Sequence, residues 1–109
     1  MKRIILSVCI FTLGACGESN HLFVPSDPKA NYYVLEISGS RSERSITTKR
    51  VGTSGESFSK RVYNCEKSTV RYLGTGSTLR EMKISKSESR MSPVVYKSIA
   101  YYVGAKACK

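Results

Sequence analysis

The chain has 109 residues, of which 18 are lysine or arginine and eight are aspartate or glutamate, giving a formal net charge of +10 at pH 7. A chain of this length builds one small domain. It carries a single histidine and scattered acidic residues, which argues against a Ser-His-Asp triad, a zinc centre or paired-carboxylate catalysis.

The N-terminus has the layout of a secretory signal peptide. Lys2 and Arg3 precede a short apolar run from residue 4 to 11, and small residues follow. This run is too short for a membrane-spanning helix, which needs about 20 residues. One interpretation is an ordinary secretory signal peptide, in which Cys16 near its end has no special role.

The stretch Leu13-Gly14-Ala15-Cys16 resembles a bacterial lipobox. The resemblance implies a lipoprotein signal peptide over residues 1–15, cleavage before Cys16, and attachment to a membrane through lipid, including palmitate, on Cys16. Gly17 stands where lipoproteins that remain in the inner membrane tend to carry aspartate, so the resemblance favours the outer membrane. Which face of that membrane the protein occupies stays open.

Cleavage would leave an exported chain that is still strongly basic. Removing residues 1–15 leaves 94 residues, and since Lys2 and Arg3 are lost, 16 basic residues face eight acidic ones. An exported protein of net charge +8 meets lipopolysaccharide, acidic lipids, acidic glycans or acidic proteins, whereas nucleic acid belongs to another compartment. The alternative is that the charge only keeps a small domain soluble.

Residues 16–30 are predicted to form a flexible tether. Pro25 and Pro28, together with serine and asparagine, favour an extended segment over a helix or strand. His21 lies in this stretch and is expected to be solvated. The globular domain is then expected over residues 31–109.

Four segments from residue 31 onward predict a small antiparallel meander. Tyr32 to Ile37 is aromatic and β-branched, with Tyr33, Leu35 and Ile37 alternating onto one face. Short loops separate it from the following segments. The remaining predicted strands are a basic and exposed edge strand over residues 41–51, a strand over 57–65 and a strand over 69–73.

The last third predicts two helices. Thr78 and Glu81 have capping-box spacing, which favours a short helix over residues 78–83 and explains the preceding glycine-rich turn better than a phosphate loop does. A polar loop ends at Pro93. Residues 94–108 are ambiguous, but Ile99, Tyr102 and Val103 have helical spacing, so we favour a C-terminal helix from Ser98. The predicted fold class is therefore α+β.

The cysteine count predicts a disulfide bond. Cys9 leaves with the signal peptide and Cys16 takes the lipid, so Cys65 and Cys108 remain in an oxidising compartment. A free thiol or a metal pair is the alternative, although one histidine leaves zinc short of ligands. The bond would hold the C-terminal helix to the sheet.

Basic residues concentrate on the predicted second and third strands. If these strands pair, one end of the sheet carries a patch suited to an anion, and the alternative is a solvated edge strand. The residues of this predicted patch are Arg41, Arg44, Lys49, Arg50, Lys60 and Arg61. A binding role for Tyr32, Tyr101 or Tyr102 is open.

One family resemblance joins these features. Tyr63-Asn64-Cys65, then Thr69-Val70-Arg71-Tyr72, then Ser98-Ile99-Ala100 and a terminal Cys108 resemble the surface-adhesin E family of small bacterial lipoproteins. The resemblance covers residues 31–108 and implies an antiparallel sheet with a C-terminal helix held by the disulfide. Of that family's features, only Cys65 and Cys108 carry over residue by residue.

The functional expectation is a lipid-anchored envelope protein without catalytic residues, metal or cofactor, whose basic surface binds an anionic or protein partner. An adhesin-like role fits this description. The alternative is an immunity, inhibitor or exclusion lipoprotein that blocks a protein partner. The sequence makes no prediction of oligomeric state.

Overall fold

A computed structural model describes residues 20–109, which form one antiparallel sheet of six strands and two helices. The predicted α+β fold is confirmed. The strands are β1 (His21–Leu22), β2 (Asn31–Ser38), β3 (Arg44–Gly52), β4 (Gly55–Asn64), β5 (Thr69–Gly76) and β6 (Ser92–Pro93). The helices are α1 (Leu79–Ile84) and α2 (Ile99–Ala107).

The strands lie side by side in chain order, β1 to β6, as a meander should. The prediction that residues 41–51 form an exposed edge strand is wrong, because β3 lies between β2 and β4 and buries Ile46, Thr47 and Thr48. The edges are instead the two-residue strands β1 and β6. Such short edge strands offer little backbone to a neighbouring chain.

A β-bulge in β2 places Ile37 on the opposite face of the sheet from Tyr33 and Leu35. The register with β3 shifts between Val34 and Glu36, and a bulge of this kind moves the following side chains to the other face. Tyr32 and Val34 are buried, whereas Leu35 and Ile37 are substantially exposed. The prediction that Tyr33, Leu35 and Ile37 share one face is therefore wrong, because Ile37 pairs with Ile46 on the face that carries Tyr32 and Val34. Consecutive apolar residues in this strand leave its alternation ambiguous.

The hydrophobic core lies between one face of the sheet and α2. Its buried members are Val34, Ile46, Tyr63, Val70, Val103 and Ala107. Ser98 caps α2 by accepting a hydrogen bond from the Tyr101 backbone N–H at 3.1 Å. The Cys65–Cys108 disulfide joins the end of α2 to the chain just after β4, so the predicted helix and its covalent link are both confirmed.

Helix α1 packs on the opposite face of the sheet. Gly74 and Gly76 pair with Lys60 and Phe58 of β4, and Lys60 points away from the face that carries its neighbour Arg61. A Cβ at Gly76 would come within 2.6 Å of the Met82 backbone nitrogen, so the helix needs glycine at this strand position. Thr78 caps α1 as predicted, and Glu81 accepts a hydrogen bond from Ser77 N–H at 2.9 Å.

Residues 20–30 lie against the sheet instead of forming a free tether. The Val34 N–H donates to the Asn20 carbonyl at 2.7 Å, β1 pairs with β2, and Val24 is buried. The predicted flexible tether is therefore wrong over residues 20–30. The signal peptide, Cys16 and the rest of the predicted tether lie outside the described residues. No helix in residues 20–109 has the length and hydrophobicity needed to cross a bilayer.

Candidate functional site

The strands that carry the predicted basic patch are neighbours, but the six side chains do not form one surface. Residues 44, 50 and 61 share the face that packs on α2, while Lys49 and Lys60 share the opposite face. Along β3, residues 44 and 50 are also separated by about 20 Å, at about 3.3 Å per residue. The patch is thus divided by face and by position along the sheet.

Several of these cations already have partners within the domain. Arg50 Nε donates to Asp27 Oδ2 at 2.7 Å, and Lys49 Nζ lies 3.3 Å from Glu56 Oε2. Arg41 donates to the Cys108 carbonyl at 3.2 Å. These contacts give the three residues structural roles that the sequence pattern did not indicate.

Asp27 is the centre of a small polar cluster that secures the segment before β2. It accepts hydrogen bonds from Arg50 and, at 2.7 Å, from the Tyr32 hydroxyl. The Arg50 hydrogen bond, followed by that of Tyr32, lowers the pKa of Asp27. Burial, followed by the hydrogen bond to Asp27, raises the pKa of Tyr32 to about 12. Tyr32 therefore has a structural role, because its hydrogen bond to Asp27 helps to hold this segment against the sheet.

Arg61 is a buried cation without a carboxylate partner among residues 20–109. It is only 4% exposed. Its guanidinium donates to Tyr72 Oη at 2.9 Å and to Thr48 Oγ1 at 3.3 Å, and it lies 4.6 Å from the centre of the Tyr72 ring. Its Nε makes no hydrogen bond within the described residues. A side chain so enclosed cannot belong to an exposed binding patch.

Arg44 is half-buried on the same face of the sheet, opposite Tyr63 of β4. Its Nε is likewise without a hydrogen-bond partner within residues 20–109. Lys60, another of the six predicted residues, lines an open cavity.

That cavity is a groove of about 600 Å³ between α1 and the face of the sheet that α2 does not cover. We refer to it as the α1 groove. Leu73 and Met82 contribute apolar side chains to its walls. The lining residues are Leu35, Glu36, Thr47, Lys60, Leu73, Leu79, Met82, Lys83 and Ser87.

The α1 groove combines apolar walls with two ammonium groups. Lys60 and Lys83 both line it, and neither forms an ion pair within the described part of the chain. Glu36 is the one carboxylate in its lining. Sequence reasoning identified Lys60 but missed Lys83, because only the packing of α1 on β5 brings the last turn of the helix beside β4.

A second, smaller cavity of about 370 Å³ lies beside the disulfide. Tyr96 and Tyr101 line it and stack edge to face, with ring centres 5.0 Å apart. Tyr101 and Tyr102 stack in the same manner at 5.1 Å. Val95 and Tyr96 are largely exposed, so this tyrosine cluster presents an aromatic surface to solvent near the C-terminus.

Over residues 20–109, no three His, Cys, Asp or Glu side chains come close enough together to hold a metal ion. No family model matches the chain, and no curated protein or solved structure is significantly similar to it. The functional argument therefore depends on the geometry and charge of the grooves themselves.

Proposed function

We propose that this protein is a non-catalytic, lipid-anchored envelope lipoprotein whose globular domain binds an anionic partner in the α1 groove. The observation that carries the proposal is the pair of lysines, Lys60 and Lys83, placed over apolar walls without ion pairs in residues 20–109. Ligand sites in proteins typically combine apolar walls with a few polar groups that fix orientation. The α1 groove has this composition.

The groove favours an amphiphilic anion over a purely polar one. The two ammonium groups would attract a phosphate or carboxylate, while Leu73, Leu79 and Met82 would contact an attached apolar portion. A lipid-like envelope molecule combines these two chemistries. Because the groove is open to solvent, its electrostatic attraction should weaken with salt, over a screening length of about 8–10 Å at physiological ionic strength.

Binding to lipopolysaccharide and to heparin tests this proposal, because both are anionic and only the former carries acyl chains. We expect the detergent-solubilised mature protein to bind lipopolysaccharide more tightly than heparin. The K60S/K83S variant should lose this binding, whereas K67S/K109S, which removes two exposed cations outside the groove, should retain it. Equal losses in both double variants would show that net charge alone drives binding and would refute the groove as the site.

Attachment through lipid on Cys16 is part of the same proposal and is supported by the Leu13–Cys16 motif. Gly17 supports the outer membrane as the destination. Treatment with globomycin, which blocks lipoprotein signal peptidase, should accumulate unprocessed precursor, and Cys16→Ala should release the protein from membranes. Unchanged processing, or membrane fractionation of Cys16→Ala, would refute lipid anchoring. The short motifs that resemble surface-adhesin E lipoproteins match no family model, so the proposed envelope role depends on the Leu13–Cys16 motif.

The tyrosine cluster supports a second candidate, in which the protein blocks a protein partner as an immunity, inhibitor or exclusion lipoprotein. Exposed tyrosines are enriched at protein interfaces, because their rings bury a large area and their hydroxyls form hydrogen bonds. Affinity capture with wild-type protein and with Tyr96→Ser separates the candidates. A protein retained by wild type and lost with Tyr96→Ser would favour the inhibitor, as would a neighbouring toxin or phage gene.

A further inference from the structure

The described chain makes contact with the sheet only four residues after the cysteine proposed to carry lipid. The Asn20 carbonyl accepts the Val34 N–H at 2.7 Å, and Cys16 lies four positions earlier. A chain spans at most about 3.6 Å per residue. Whatever its conformation, the link between Cys16 and Asn20 therefore cannot exceed about 14 Å, far less than the tether of 15 residues that the sequence alone suggests.

Resting on the lipid anchor of the proposed function, we propose that the edge of the sheet formed by β1 and its following segment docks on the bilayer, with Phe23 entering the membrane interface. The occupant is a lipid surface, because the short link holds this edge beside the membrane.

Phe23 is suited to such a contact because it is large, apolar and 75% exposed. Its neighbours turn inward: Val24 is buried and Leu22 packs against the core. Because side chains in extended chain alternate between faces, burying these two residues directs Phe23 outward. Phenylalanine is among the apolar side chains that membrane-surface segments bury at the boundary between headgroups and acyl chains.

The segment that presents Phe23 is held in place from the other side. The Asp27 N–H donates to the Val24 carbonyl at 3.1 Å, and the Asp27 carboxylate binds Tyr32 and Arg50. Lys29 is exposed in the same segment and would face anionic headgroups. Phe23 lies three residues after Asn20, so their Cα atoms are at most about 11 Å apart.

The opposite edge of the sheet should then face away from the membrane. Five strand spacings separate β1 from β6, which amounts to about 24 Å. Tyr96 follows β6 by three residues and is 69% exposed. It is therefore a matched aromatic position for testing which edge meets lipid.

The absence of tryptophan from the chain makes a depth measurement direct. Phe23→Trp and Tyr96→Trp each introduce one fluorophore at an exposed aromatic position. The processed, lipid-bearing variants are reconstituted into vesicles of phosphatidylethanolamine and phosphatidylglycerol, with and without brominated acyl chains that quench tryptophan. Flotation of the vesicles reports anchoring independently of the fluorescence.

We expect the F23W fluorescence to shift to shorter wavelength and to fall at least twofold with brominated lipid, while Y96W stays unquenched. If both variants float but F23W is unquenched, or if both are quenched equally, the docking inference fails while lipid anchoring stands. If neither variant floats with vesicles, lipid anchoring fails and the docking inference fails with it.

Discussion

Gly104 of α2 lies directly against the ring of Tyr63 in β4, so that a Cβ at residue 104 would come within 2.6 Å of Tyr63 Cε2. The Tyr63 hydroxyl donates to the Ala100 carbonyl of the same helix at 2.7 Å. Tyr63 is among the most deeply buried side chains, and burial raises its pKa well above its ordinary range. The close contact between β4 and α2 therefore requires glycine, which has no side chain, at residue 104.

We expect Gly104→Ala to lower the free energy of unfolding by about 1–3 kcal/mol, the usual cost of overpacking a core. Alanine is the better helix former by about 1 kcal/mol, so helix propensity alone predicts the opposite sign. Ala105 is exposed in the same helix, and Ala105→Gly should also destabilise, by about 1 kcal/mol. Urea denaturation measures both changes. A Gly104→Ala protein more stable than wild type would contradict the contact.

We expect loss of the Cys65–Cys108 bond to weaken the domain by about 4 kcal/mol, because it closes a loop with a sequence separation of 43 residues. Denaturation of C65S/C108S against wild type measures the change. Mass spectrometry without reductant should show one linked peptide pair and a mass about 2 Da lower than after reduction, as expected for one disulfide. Two free thiols in the native protein would contradict the structure.

Local patterns in the sequence identified most of the fold. The hydrophobic alternation and short turns of residues 31–73 predicted the meander, Thr78 and Ser98 predicted the two helix starts, and the leftover cysteines predicted the bond. Each of these signals lies within a few residues or follows from a count. They required no knowledge of which strands occupy the centre of the sheet.

The errors concern properties that only the assembled sheet determines. Thr47, Thr48 and Arg61 are polar, and nothing in their own segments shows that neighbouring strands bury them. The bulge after Val34 placed Ile37 on the opposite face from Tyr33 and Leu35, and a bulge has no clear signal in an apolar run. The predicted basic patch failed for the same reason, since opposite faces separate Lys60 from Arg61.

Stability should fall in acid because of Asp27. The Arg50 and Tyr32 hydrogen bonds lower its pKa in the folded protein, so this stabilisation is complete above the unfolded pKa of about 3.9 and is lost as pH falls through the lower folded value. Thermal unfolding from pH 7 to pH 2 should show a drop in Tm below about pH 4 that is smaller in Asp27→Asn. An equal acid drop in both proteins would contradict this linkage.

Tyr32 should produce a second loss of stability in base. Its folded pKa is raised to about 12 from an ordinary 10, so the stabilisation is present below pH 10 and is lost as pH rises toward 12. Tyr32→Phe removes the group and should flatten this part of the Tm profile relative to wild type. It should also cost about 1 kcal/mol at neutral pH, the usual value of a hydrogen bond. Identical alkaline profiles would contradict the assignment.

Arg61 and Arg50 lie on the same face of the sheet, but replacing each by methionine should change the free energy of unfolding in opposite directions. Arg61 is buried, has no carboxylate partner within residues 20–109, and leaves Nε without a hydrogen bond there. Removing a charged side chain from water is costly, and the hydrogen bonds to Thr48 and Tyr72 offset this cost only in part. Arg50, in contrast, neutralises Asp27.

We therefore expect Arg61→Met to leave the free energy of unfolding unchanged or to raise it by about 1–4 kcal/mol, as found when buried charges give way to apolar side chains of similar volume. The methionine sulfur can also pack on the Tyr72 ring that the guanidinium now contacts. Arg50→Met is the matched control and should lower stability, since it leaves Asp27 with only the Tyr32 hydrogen bond. Urea midpoints for the two variants decide the matter. A loss of about 3 kcal/mol or more in Arg61→Met, which is typical of breaking a compensated buried charge pair, would show that the Arg61 charge is balanced and would overturn this account of its burial.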